Sequence, residues 1–272
     1  MKRTMNPHEF RGAVWNHYAS HKRNFPWRET RNPYHILVSE IMLQQTQTSR
    51  VAQKYETFLK TFPTIHSLAR APISKVLRAW QGLGYNRRAL ALARTAEIIE
   101  KNYSHKVPAD SEILSTLPGI GKATAGAIAA FAYNAPTVFI ETNIRRSFLY
   151  FFFKGRKNVS DKTLIPLVEA ALDRKNPREW YYALMDYGAM LGKLAPNANR
   201  RSRHYKTQSP FAGSLRKLRG AIIKTLLTTP KVKTAALASQ LKEPMPRVKL
   251  ALAHLKREGF VDIEKGATVK LK

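Results

Sequence analysis

Apolar positions recur at three- and four-residue intervals along most of the chain up to about residue 194, with short punctuated connections, so the fold class is mainly α. Asn32-Pro33 offers an N-cap followed by proline at the first helical position, and opens a helix expected to run through Thr46. The same periodicity predicts helices over roughly 49–62, 73–81, 86–103, 122–133, 143–153, 162–173 and 178–193. Ile140 to Phe153 is strongly apolar and aromatic, and Tyr150 to Phe153 is assigned to buried core rather than to a base-stacking platform.

From Pro196 to Ser214 the periodicity stops, and Arg200 to Lys206 reads as a basic loop. The pattern restarts with Leu215, Leu218, Ile222 and Leu226, which mark one helix. Thr234 is expected to cap a second short helix, and Pro246 to Glu258 forms a third, closed by Gly259. Phe260 to Leu271 then alternates around Lys265-Gly266, as a two-stranded hairpin should. Three helices and a hairpin are the winged-helix order. The expected domains are therefore 1–212, including a basic loop at 196–212, and a winged helix at 213–272. The third helix carries Arg247, Lys249, His254, Lys256 and Arg257, which suits either docking in a DNA groove or a protein-binding module with a solvated basic face.

Charge narrows the function. Lysine and arginine number 47 against 18 acids, a formal charge of +29, which repels itself unless a polyanion offsets it. The expected partner is nucleic acid, with affinity that falls steeply with salt. A ribosomal or histone-like binder would carry less core material than the 44% hydrophobic content here. No apolar run is long enough to span a bilayer, and the first residues lack the apolar core of a signal peptide, so a monomeric intracellular protein of the cytoplasm or nucleoid is expected. The chain has no cysteine, which excludes disulfides, a cysteine nucleophile and a thiolate-held metal or iron–sulfur cluster. No metal or other cofactor is expected.

Four stretches carry candidate chemistry. Leu117-Pro-Gly-Ile-Gly-Lys-Ala-Thr-Ala-Gly126 places Gly119 and Gly121 in a tight turn ahead of a small-residue helix, with Lys122 and Thr124 in its first turn. Backbone amides at such a turn bind one phosphate without reading sequence. Ser39 to Thr46 sets Glu40 inside an apolar, amide-rich helix, where desolvation raises its proton affinity and suits a general acid; the plain alternative is a partly exposed helix acid. Trp80 to Arg88 presents Tyr85 on a glycine turn beside Arg87 and Arg88, an aromatic wedge flanked by phosphate-seeking cations. In Phe139 to Arg146, Glu141 precedes a helix and two arginines, either as a catalytic carboxylate or as an ordinary acid favoured by the helix dipole.

In this order and spacing the four stretches resemble the helix–hairpin–helix DNA glycosylase superfamily, and within it the MutY adenine glycosylases, from about Arg23 to Gly192. The resemblance implies two helical subdomains with a cleft between them. It implies that Glu40 protonates the departing base, that Gln45 enters the stack the base has left beside Gln44, and that Tyr85 is the wedge. Arg23 and Arg28 then line the base pocket, Asn143 follows two residues after the catalytic acid, and Leu117, Gly119, Gly121, Lys122 and Thr124 belong to the DNA-gripping hairpin. The family's aspartate is replaced by Glu141, its cluster-binding cysteines are missing, and a winged helix stands where the domain that reads 8-oxoguanine would be. Ala123 occupies the position of the lysine that serves bifunctional relatives as a nucleophile, with Lys122 turned away by about 100° on the helix.

The function expected from this reading is a monofunctional DNA glycosylase of base-excision repair that removes a mispaired base, adenine opposite 8-oxoguanine or guanine. A thymine or uracil mismatch glycosylase on the same scaffold is the second reading. A catalytically inactive DNA-binding regulator, suggested by Glu141 and the winged helix, is the third.

Overall fold

A computed structural model describes residues 6–208 and 210–272. The described chain is mainly helical. Its helices are α1 (Pro7–His21), α2 (Pro33–Leu43), α3 (Thr48–Thr61), α4 (Ile65–Ala69), α5 (Ile73–Trp80), α6 (Arg87–Asn102), α7 (Ser111–Thr116), α8 (Lys122–Tyr133), α9 (Thr142–Phe152), α10 (Asp161–Ala171), α11 (Pro177–Leu194) and α12 (Leu215–Thr228). Strand β1 (Lys231–Lys233) follows, then α13 (Thr234–Leu241), α14 (Met245–Glu258), β2 (Val261–Glu264) and β3 (Thr268–Leu271). None of these helices is long and apolar enough to cross a membrane.

The chain forms two compact units, one made of residues up to Glu40 with Val107–Thr207, the other of Ile41–Lys106 with Gln208–Lys272. In the first, α1 opens with a capping box in which the Asn6 and Glu9 side chains each bond the other's backbone N–H. Phe10, Val14 and Tyr18, four residues apart, put one buried stripe against the core. The Phe10 ring meets those of Phe148 at 4.9 Å and Phe151 and Phe152 at 5.4 Å, so the aromatic run of α9 is core except for the exposed Tyr150. Two glycines let α9 and α11 approach closely. A Cβ at Gly188 would lie 2.2 Å from the Asn143 carbonyl oxygen, and one at Gly192 would lie 2.6 Å from Arg146 Nη1. The expected basic loop is partly ordered on this unit. Ala198–Arg201 is a 3-10 turn, Asn199 Nδ2 donates to the Thr142 carbonyl at 3.2 Å, and Arg201 Nη1 donates to that of Leu149 at 3.0 Å.

In the second unit, the C-terminal module rests on the helices of 41–106. Arg78 Nη2 donates to the Leu227 carbonyl at 2.9 Å, and Glu258 receives both Arg87 at 2.6 Å and Arg219. The cut expected at 212–213 thus runs through a compact unit. The module's three helices and hairpin form as the alternation predicts, and Gly259 closes α14 in the left-handed conformation at φ 87°. A third strand was not expected: Lys-Val-Lys at β1 is too short to show alternation, and it completes an antiparallel sheet of order β1-β3-β2. Val232 pairs with Val269, and Ile263 pairs with it from the other side. Thr234 does not cap its helix. It is the first helical residue, and its hydroxyl donates to the Ala267 carbonyl at 2.9 Å.

Most helical boundaries fall within two residues of the periodicity, but α2 ends at Leu43 rather than Thr46. Its last turn is interrupted because Arg88 Nη1 bonds the carbonyls of Ile41 at 3.0 Å and Met42 at 2.7 Å, which a continuing helix would offer to residues 45 and 46.

The close approach at Gly188 makes a sharp expectation. Gly188→Ala must push the start of α9 away from α11, so the melting temperature should fall by an amount equivalent to about 1–3 kcal/mol of overpacking. Thermal denaturation checks this, and an unchanged midpoint would contradict the contact.

Candidate active site

Glu40 is the only acid of α2, and Ile36, Leu37, Val38, Ile41 and Met42 around it are all buried. Burial is the main force on its carboxyl and pushes it up to about 8; the charge of Glu141 pushes the same way and the Arg28 guanidinium opposes. Among the described residues no hydrogen bond steadies its ionised form. A carboxylic acid that keeps its proton near neutrality is a competent donor.

Glu141 has a different environment, created by its position as N-cap of α9. Its Oε1 accepts the backbone N–H of Asn143 at 2.6 Å and of Ile144 at 2.8 Å, and Oε2 accepts from Asn143 Nδ2 at 3.3 Å. Burial raises its proton affinity above the ordinary carboxylate value, and these backbone bonds and the charges of Arg145 and Arg146 offset only part of that rise. Every partner that touches it is an N–H donor, the arrangement that serves a carboxylate. The structure shows the capping role of Glu141, and the capping acid lies close enough to Glu40 to act on its charge. Capping of this kind is usual for aspartate and rare for a longer acid. Asn143 in turn accepts Arg146 Nη1 at 2.9 Å, and the same Nη1 donates to the Gly188 carbonyl at 2.8 Å, tying the cap to α11. Arg145 faces elsewhere, in a two-bond ion pair with Asp161.

Arg23 and Arg28 are brought together by a residue the sequence reading passed over. Asp186, buried on α11, receives Arg28 Nη1 at 2.8 Å and Nη2 at 2.7 Å, Arg23 Nε at 2.6 Å and the Arg23 backbone N–H at 3.0 Å. Burial alone would raise its carboxyl, but the bonds and charges of the two arginines outweigh it and hold it below the usual range. Arg28 also lies 4.5 Å from the ring centroid of Tyr182. Arg178 clamps the same turn, donating to the Arg28 carbonyl at 3.0 Å. The signal was weaker than at Glu40, because the stretch 177–194 carries Glu179 as well as Asp186.

The hairpin is the connection between α7 and α8. Leu117 and Ile120 are buried, Gly119 turns the chain at φ 76°, and Gly121 is the N-cap of α8 with no side chain to bond its first amides. Lys122 is exposed, and Ala123 and Thr124 are half-buried.

Gln44, Gln45 and Tyr85 belong to the second unit. Gln44 is half-buried, and Gln45 is exposed just past the end of α2 at φ 54°. Tyr85 stands at φ 49° after Gly82 and Gly84, and is 37% exposed. Of the two flanking arginines, the structure withdraws Arg88 from phosphate, whereas the Arg87 side chain stays largely exposed. Arg87 is paired with Glu258, and Arg88 is buried. Besides the α2 carbonyls, Arg88 Nη2 donates to Thr46 Oγ1 at 2.8 Å and to the carbonyls of Leu83 at 3.2 Å and Gly84 at 3.0 Å. One guanidinium thus fixes both left-handed positions, strained for non-glycine residues and held only because the surroundings determine them.

Residues 38–169 match the family described as HhH-GPD superfamily base excision DNA repair protein. Just under half of the chain is thus similar to an HhH-GPD domain. It is similar to an adenine DNA glycosylase of Buchnera aphidicola subsp. Baizongia pistaciae, 35% identical over 178 residues that cover 65% of this chain and 50% of the relative. An adenine DNA glycosylase of Mycobacterium tuberculosis is 45% identical over 130 residues, 47% of this chain and 43% of that one. The chain thus spans about half the length of these curated relatives. Among solved structures, a thermostable thymine-DNA glycosylase is similar at TM-score 0.62 and 27% identity, over 71% of this chain and 88% of that one. A non-covalent endonuclease III–DNA complex shares the fold at TM-score 0.58 and 18% identity, over 77% and 92%. The HhH-GPD match encloses Glu40, Tyr85, the hairpin and Glu141.

Two outcomes follow from the carboxyl environments. Glu40 holds its proton above its ordinary value of 4.5, so the native state binds a proton that the unfolded chain releases. Stability should be full at acid pH and fall as pH rises from about 4.5 through about 8. Glu40→Gln should therefore melt higher than wild type at pH above this window and match it below. Equal pH dependence in the two proteins would refute the assignment. Asp186→Asn removes the carboxylate between two arginines, and breaking such a buried pair costs about 3–5 kcal/mol. The freed Arg28 charge would act more strongly on Glu40, so the variant should melt lower and its Glu40 titration should move to lower pH. Carboxyl-region NMR of labelled glutamate reads that shift directly.

Proposed function

We propose that this chain is a monofunctional DNA glycosylase that flips a mispaired base, adenine opposite guanine or 8-oxoguanine, out of double-stranded DNA and hydrolyses its bond to the sugar. The observation that carries the reading is the pair of carboxyl groups in unlike settings, Glu40 held protonated by burial and Glu141 held among N–H donors. Glu40 gives its proton to a ring nitrogen of the base, and the C1′–N bond breaks with its electron pair going to the base. The Glu141 carboxylate stabilises the positive sugar. Water adds to C1′ and returns a proton to Glu40, leaving an abasic site. The similarity to adenine DNA glycosylases supports the choice of base.

Gln45 and Tyr85, mounted on Arg88, are the residues we assign to the base stack, and the amides at Gly119–Thr124 grip a phosphate. The protein acts as a monomer in the compartment that holds the DNA. No cofactor takes part in this scheme. Without a cysteine, the thiolate ligands of an iron–sulfur cluster are missing, and the stretch 198–202 is held instead by the bonds of Asn199 and Arg201 to the body of the unit. The winged-helix module at 213–272 adds a further basic surface. A second reading, a thymine or uracil mismatch glycosylase, draws on the similarity to the thermostable thymine-DNA glycosylase, most of whose length is matched.

Single-turnover excision on a panel of A, T and U mispairs, followed by alkali, tests both readings. We expect cleavage at adenine, loss of cleavage with Glu40→Gln, and retained affinity for the duplex. Glu141→Gln should lose about a hundredfold, as removal of a carboxylate beside a developing cation costs on the order of 3 kcal/mol. Glu141→Asp should keep the cap, which suits aspartate, and stay within about tenfold of wild type. Activity confined to T and U opposite guanine would select the second reading, and no excision by wild type would leave a DNA-binding regulator. Borohydride trapping should yield no adduct, since Ala123 offers no amine.

A further inference from the structure

Around Tyr85 the second unit builds an alternating stack of guanidinium groups and aromatic rings. Buried Arg88 lies 5.5 Å from the Tyr85 ring centroid; Arg216, in the first turn of α12, lies 6.0 Å from the same ring and 6.0 Å from that of Phe211. The Tyr85 hydroxyl accepts from Arg216 Nη1 at 3.2 Å and from Gln208. The series runs from a buried arginine to a phenylalanine that is 63% exposed. An exposed phenylalanine in a strongly basic protein is costly in water and stacks well on the flat face of a base.

We propose that Phe211, oriented through Arg216, is a stacking platform for the nucleobase left unpaired when its partner is removed from the helix. The inference rests on the DNA glycosylase reading and adds to it a specificity element supplied by the C-terminal segment. Three features favour an unstacked base as the occupant. The surface is aromatic, so it binds a π-face of any base. It is continuous with Tyr85, the residue assigned to the stack. It is also flanked by Arg216 and Gln208, donors suited to base edges and phosphate oxygens. Glu141 and Glu40 lie in the other unit, so the platform is separable from the chemistry by mutation.

The test uses the full chain and a duplex with 2-aminopurine opposite a tetrahydrofuran abasic analogue, which requires no excision. Wild type should quench the fluorescence on binding, because a stacked 2-aminopurine is dark. Phe211→Ala should abolish the quenching and weaken binding to this duplex by about five- to tenfold, with undamaged duplex bound as before. Phe211→Tyr should restore both, and Arg216→Ala should reduce quenching. Phe211 is exposed, so its substitution should leave the melting temperature unchanged. Quenching and affinity in Phe211→Ala equal to wild type would overturn the platform, whether or not the enzyme excises bases. Conversely, lost quenching in a protein that excises nothing from the mispair panel would uphold the platform and reject the glycosylase reading.

Discussion

The buried pair between Arg28 and Asp186 is the contact on which the candidate chemistry depends. Arg28 opposes the rise in Glu40's proton affinity, so a guanidinium left unshared would favour the ionised acid and remove the donor. Asp186 takes both terminal nitrogens of Arg28 and the Nε of Arg23. The charge beside Glu40 is thereby largely balanced before it acts. The proton on Glu40 is owed mainly to burial, and this balance limits how far Arg28 opposes it. The same helix that supplies Asp186 supplies Gly188 and receives Arg146, so α11 sets the position of Arg28 and also that of the Glu141 cap.

The parts of the fold that were legible in the sequence are those in which local chemistry and tertiary packing agree. Asn32 does accept the backbone N–H of Tyr34 and His35 ahead of Pro33, and Gly259 does turn left-handed after α14. Helices of five and six residues, α4 and α7, were missed because a single turn shows no period. The first helix was missed for a different reason: the Asn6–Glu9 capping box is plain in the sequence, but its apolar residues are spaced among three histidines and an arginine. The end of α2 was misplaced because a distant side chain, Arg88, decides it.

For the site, residue type carried further than position. A solitary acid in an apolar helix pointed to Glu40, whereas α11 carries Glu179 as well as Asp186, so that rule does not single out Asp186. At Glu141 the structure shows the helix cap, a carboxylate held by two backbone N–H groups, and its catalytic role belongs to the proposed function. Arg87 and Arg88 show the limit of the approach. Charge suggested phosphate contacts for both, whereas one is an ion-pair partner and the other an internal brace.

That brace has a mechanical consequence. Gln45 and Tyr85 lie forty residues apart in the chain, yet the loops that bear them end on a single guanidinium. Under the proposed function, two probes on one rigid mount cannot search for a lesion independently, and neither has conformational freedom left to surrender on contact. The work of distortion then falls on the nucleic acid, and a weakly stacked site yields where a sound duplex does not. Discrimination between damaged and intact DNA begins, in that view, with the stiffness of the protein, before any base reaches the carboxyl groups.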